Sequence, residues 1–117
     1  MIDRNEIKRT YKEQKSQIGI YKIENKVTGK IFIGESLNIQ ARFNRHRMEL
    51  KTGNEEIKEL LDDYKKYGEE NFAFSIVDLI KQDDTEVRNY RKELKELLQM
   101  YLEELKPYGD KGYNIIK

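Results

Sequence analysis

Apolar positions along this chain fall into separate periodic stretches, and each stretch predicts an element. Ile18-Gly19-Ile20-Tyr21-Lys22-Ile23 and Lys30-Ile31-Phe32-Ile33-Gly34 are β-rich runs divided by the turn-forming residues 24–29, which predicts a hairpin. Ile39, Phe43 and Leu50 then recur at helical spacing between Asn38, a candidate N-cap, and Gly53, a candidate stop. A second helix is predicted with Asn54 as its cap, Glu55 and Glu56 in its first turn, and Ile57, Leu60, Leu61, Tyr64 and Tyr67 facing inward. Gly68 ends it. Phe72 to Ile80 is the most continuous apolar run and predicts a buried strand. Asp84 is placed to cap a long helix over Thr85–Leu105, striped by Val87, Tyr90, Leu94, Leu97, Leu98, Tyr101, Leu102 and Leu105 and stopped by Pro107. Tyr113 to Ile116 reads as a short extended tail. The order ββααβα describes an α+β domain whose small antiparallel sheet carries helices. Ahead of it, Ile7 and Tyr11 are the only apolar stripe of a polar segment, so residues 1–17 are expected as a helix or arm and 18–117 as the domain.

Composition narrows the possibilities without changing this outline. A length of 117 residues suits one domain with one core. Charged residues (38%) balance hydrophobic ones (37%), but eight Tyr and four Phe supply core material that a disordered chain lacks. The absence of cysteine excludes disulfides, zinc–cysteine sites and thiol nucleophiles. It also makes the cytoplasm the expected compartment. The N-terminus is charged, and no apolar run approaches the roughly 20 residues needed to cross a bilayer, so no membrane role is expected. The net charge of +1 conceals an asymmetry: residues 1–51 hold 12 Lys/Arg and 6 Asp/Glu, whereas residues 52–117 hold 11 and 16. A polyanion would therefore meet the first half.

Candidate chemistry lies in that half. Tyr21 and Phe32 sit on paired strands, where aromatic residues pack well whatever their other roles. On the first helix, at about 100° per residue, His46 shares the face of Ile39, Phe43 and Leu50, with Arg42 beside it. A phosphate-binding cation and a proton carrier could meet one substrate there. Equally, a satisfied core histidine with an arginine snorkelling from the rim would give the same pattern. Arg45 and Arg47 face other directions and make the helix locally basic, which suits a phosphate backbone.

Taken together, Gly19-Ile20-Tyr21, Phe32-Ile33-Gly34 ten residues after Gly-Ile-Tyr, Arg42, His46 and the closing Gly112-Tyr113-Asn114 resemble the GIY-YIG nuclease superfamily. The likeness spans about residues 19–114. It implies a three-stranded antiparallel sheet flanked by helices and a metal-dependent endonuclease acting on nucleic acid, most simply DNA, with Mg²⁺ or Mn²⁺. It further implies that Tyr21 lies at the attacking water as general base, that Arg42 holds the scissile phosphate, and that His46 and Asn114 position groups around them. Two positions depart from the pattern. The second signature tyrosine is Phe32, which keeps the ring and loses the hydroxyl. The metal-binding glutamate of the last helix falls on Leu98, and Glu96 and Gln99 lie about 160° and 100° from it around that helix. Glu35, directly after Phe-Ile-Gly, is the substitute ligand the sequence offers. The alternative reading is a catalytically impaired module that binds nucleic acid or protein, and a third is a structural domain whose Arg-rich helix is only a solvated face. Lacking an appended recognition domain, the chain is expected to draw specificity from this domain or from a protein partner.

Overall fold

The computed structural model describes residues 16–82 and 88–115. The expected arm therefore lies, but for its last two residues, outside the described part, as do Asp84, Thr85, Val87 and Ile116. The remaining order is ββααβα: β1 (Gly19–Asn25), β2 (Ile31–Ser36), α1 (Ile39–Thr52), α2 (Lys58–Tyr67), β3 (Phe72–Leu79) and α3 (Tyr90–Leu105). The three strands form one antiparallel sheet in the order β2-β1-β3, so the strand carrying Tyr21 is central.

Strand alternation divides the molecule into two cores. Tyr21 and Ile23 point from one face of β1 into a cluster with Ile39, Phe43 and Leu50 of α1 and Leu60 and Leu61 of α2. Ile18 and Ile20, before and within β1, join Ile33 and Leu94 in a second cluster, against which Leu97, Leu98 and Tyr101 of α3 pack. Ile20 and Ile23 are fully buried. Each burial contributes about 1.5–3 kcal/mol, so β1 is held from both sides. Where β1 passes from one cluster to the other its pairing with β3 slips between Ile20 and Tyr21, a bulge of the kind that re-aims a side chain.

Several boundaries differ from expectation for identifiable reasons. Asn38 caps α1 as predicted, its side chain accepting from the Ala41 N–H, and Gly53 closes the helix in the left-handed conformation. Asn54, however, is not the cap of α2. Its backbone N–H and that of Glu55 both turn back to the Glu49 carbonyl, completing the end of α1. The second helix consequently starts at Lys58, with Ile57 at its N-cap and no side-chain cap. Glu55 is thus no first-turn acid. The last helix begins at Tyr90, where Asn89 accepts from the Lys92 N–H, and Leu105 at its end is exposed rather than buried. β3 is an edge strand, not a fully buried one: Ile76 is 40% exposed, and Leu79 is exposed as well.

The tail does not form a fourth strand. It touches β2 through an isolated bridge between Ile31 and Gly112, and a second bridge, Tyr108 with Asn114, closes the tail on the segment that follows α3. Asn114 fastens it: the Ile33 N–H donates to its Oδ1 at 2.9 Å, and its Nδ2 donates to the Ile33 carbonyl at 2.8 Å. Tyr113 is buried, donates its hydroxyl proton to Asp63 at 2.7 Å and accepts from Asn25 at 3.2 Å. Asn114→Ala is expected to destabilise the domain by about 1–3 kcal/mol, because both backbone groups of Ile33 lose their partner. Urea unfolding measures the loss, and an unchanged midpoint would show that the tail is not held by this amide.

Candidate active site

Tyr21 reaches across the first core rather than out of it. Its ring lies edge-on to Phe43, with centroids 5.6 Å apart, and beside Phe32 at 6.1 Å. It is also packed over Gly34, its partner on β2: a Cβ there would sit 2.5 Å from both Cζ and the hydroxyl oxygen. Glycine is required because the ring occupies the space of a side chain.

The phenol ends on His46. Tyr21 Oη is 2.8 Å from His46 Nε2, and His46 Nδ1 is 2.8 Å from Glu55 Oε2. All three residues are buried, Tyr21 at 3% exposure, His46 at 6% and Glu55 at 2%. Burial works against the Glu55 carboxylate, yet the hydrogen bond and charge of His46, with the Ile57 and Glu56 backbone N–H groups, hold it below the usual carboxylate range. An ionised carboxylate only accepts, so Nδ1 carries the hydrogen. In a neutral ring Nε2 then accepts, and the Tyr21 O–H donates to it. Burial pushes the Tyr21 hydroxyl well above its ordinary value; the Arg42 charge pulls it down, and Glu55 and Glu35 push it further up.

The expected site residues divide into two groups. Tyr21, His46 and Phe32 come together, Phe32 packing 6.0 Å from the His46 ring, and the charge of Arg42, with a smaller effect from Arg45, works against burial to lower the Tyr21 pKa. Arg42 is half-buried and makes no ion pair among the described residues. Arg45, by contrast, is exposed and bonds Glu49 at 2.8 Å, while the Arg47 guanidinium lies over the Phe74 ring at 4.5 Å. Asn114 commits its amide to the Ile33 backbone, as described above. Glu55 is the residue sequence reasoning missed. The only signal was an acid just after the Gly53 stop, and nothing there distinguishes it from Glu56, which is exposed.

A divalent cation finds little on α3. Leu98 packs against the second core. Glu35 offers better chemistry: it pairs with Ile20 across the hairpin and so shares the sheet face of Ile33, and its Oε2 is buried with no hydrogen-bond partner among the described residues. A hard cation would satisfy that oxygen. His46, Glu49 and Glu55 also bring ligand atoms within 4.8 Å of one another, a spacing that a metal ion could bridge. As it stands this is a hydrogen-bonded network, since both ring nitrogens and Glu49 already have partners.

Two solved structures share this architecture. Both are of the catalytic domain of the intron (homing) endonuclease I-TevI, one carrying a glutamate-to-alanine substitution. The substituted domain is 26% identical with a TM-score of 0.70, the match covering 86% of this chain and 94% of that one. The other is 25% identical with a TM-score of 0.70, covering 86% and 99%. The sequence model of the GIY-YIG catalytic domain matches residues 17–104. Since that match takes in most of the chain and the fold agrees with it, the protein belongs to the GIY-YIG family of nuclease domains.

Proposed function

We propose that this domain is an endonuclease that hydrolyses nucleic-acid phosphodiester bonds, with DNA as the substrate. The observation that carries the reading is the Tyr21 hydroxyl held 2.8 Å from His46 Nε2 with the Arg42 charge acting on it. Arg42 supplies planar, always-charged donors that match phosphate oxygens. Tyr21 stands as the group that takes the proton of the attacking water. Arg45 and Arg47 lie on the same helix and suit the neighbouring backbone phosphates. Mg²⁺ or Mn²⁺ would polarise the scissile phosphate, and Glu35 is the candidate ligand, its unpartnered Oε2 lying on the sheet face opposite Tyr21. Asn114 supports β2 beside the site by fixing Ile33. The cytoplasm suits this cysteine-free domain, in which no helix of the described residues is long and apolar enough to cross a membrane. A protein partner is a natural source of target specificity.

A second reading has its own support. Phe32 lacks the second phenol and Leu98 the helix carboxylate, which favours a module that binds nucleic acid or protein without cutting. Plasmid and single-stranded DNA incubated with the protein, with Mg²⁺, Mn²⁺ or chelator, separate the two. Cleavage that needs the cation and falls about 10²–10³-fold in Arg42→Ala is the expected result. Binding without cleavage, weakening steeply with salt, would establish the binding module instead.

A further inference from the structure

We propose that Tyr21, His46 and Glu55 form a proton relay, in which Glu55 is the positioning residue that fixes His46 as acceptor of the Tyr21 proton. The inference rests on the nuclease reading above and adds a residue and a direction of proton flow to it.

Three observations converge. The two hydrogen bonds are both 2.8 Å and run in series from the phenol through both ring nitrogens to a carboxylate. Each member is only 2–6% exposed, so bulk solvent competes little for these bonds. The acid also comes from outside the helix that carries the histidine: the turn after Gly53, closed on the Glu49 carbonyl, directs Glu55 back against the ring. The arrangement is the logic of a nucleophile–histidine–carboxylate triad, with a phenol in the first place.

The relay also removes a difficulty. Burial raises the Tyr21 pKa, so a free tyrosinate is the wrong species to wait for the substrate. A neutral phenol can still serve if it passes one proton on as it receives another. In the step proposed here the water oxygen bonds to phosphorus, and its proton moves to Tyr21 Oη. The Tyr21 proton moves to His46 Nε2, and the imidazolium so formed is stabilised by the Glu55 carboxylate. The bond from phosphorus to the leaving ester oxygen breaks, and that oxygen takes a proton from solvent. His46 then returns its proton to solvent through Tyr21.

The chain has one histidine, so its ring nitrogens give unambiguous signals in ¹⁵N NMR. At a pH of about 9, above the usual imidazole range, the wild type is expected to show hydrogen on Nδ1 and none on Nε2. In Glu55→Gln the amide donates to Nδ1, the hydrogen moves to Nε2, and the ring can no longer accept from Tyr21. The cleavage rate should then fall about 10²–10⁴-fold, as when a triad histidine is held in the wrong tautomer, while DNA affinity stays the same. Cleavage by a wild type whose ring is Nε2–H, or an unchanged rate in Glu55→Gln, overturns the relay and leaves the nuclease reading standing. Loss of the Nδ1–H signal on adding Mg²⁺ also overturns it, by making His46 share a cation with Glu49 and Glu55. No cleavage by the wild type overturns both.

Discussion

Tyr21→Phe is expected to slow cleavage by about 10²–10⁴-fold, the usual contribution of a positioned proton-transfer group, without weakening DNA binding. The substitution removes one oxygen and leaves the ring, so the contacts with Phe32, Phe43 and Gly34 that seat it in the first core survive. Stability should fall by only about 1–3 kcal/mol, because His46 Nε2 is left buried without its donor. Single-turnover cleavage at saturating enzyme reads the first effect and urea unfolding the second. A variant that cuts at the wild-type rate would take Tyr21 out of the chemistry and leave it a packing residue.

Gly34→Ala is expected to do comparable damage from the other side of the ring. Its methyl group would fall 2.5 Å from Tyr21 Cζ and Oη, closer than real side-chain atoms approach, and the obstacle is the phenol itself rather than a flexible chain end. Tyr21 cannot yield easily, being closed in by Phe43 and Phe32. The ring must tilt away from His46 or β2 must move, at a cost of about 1–3 kcal/mol. A shift of an ångström in such a group costs on the order of 10²-fold in rate. The double variant Gly34→Ala/Tyr21→Phe sharpens the argument, since the two changes act on one contact. It should be no slower than Tyr21→Phe alone. A further large loss in the double variant would mean that Gly34 serves catalysis in some other way, for instance by admitting substrate.

Those expectations come from a part of the fold that was well written in the sequence. β1, β2 and α1 have strong local signals: alternation into two cores, the Asn38 cap, the Gly53 stop and a stripe that includes His46. Legibility ended where a residue answers to something distant or to competing geometry. Asn54 followed by two acids has the composition of a helix start, but the left-handed Gly53 turns the next two backbone N–H groups to Glu49, and the cap position passes to Ile57. The misreading of Glu55 followed from that one turn. Phe72 to Ile80 reads as buried because it is the most continuous apolar run in the chain; which strand takes the centre of the sheet is a tertiary fact, and it is β1. Asn114 was matched to a site by its place in Gly-Tyr-Asn, whereas its two bonds to Ile33 depend on where the tail returns. Phe32 and Leu98, which depart from the pattern of the family resemblance, pack against the first and second cores, as apolar side chains at such positions do without long-range information.

The division of β1 between two cores has a consequence for how such a site changes over time. Tyr21 and His46 belong to the helix pair on one face, and Leu98 to the single helix on the other, with the sheet as a wall between them. A substitution on α3 can therefore be absorbed by repacking its own layer, leaving the phenol and imidazole undisturbed. The molecule is modular below the level of the domain: α3 can drift, or be redesigned, as a separate unit.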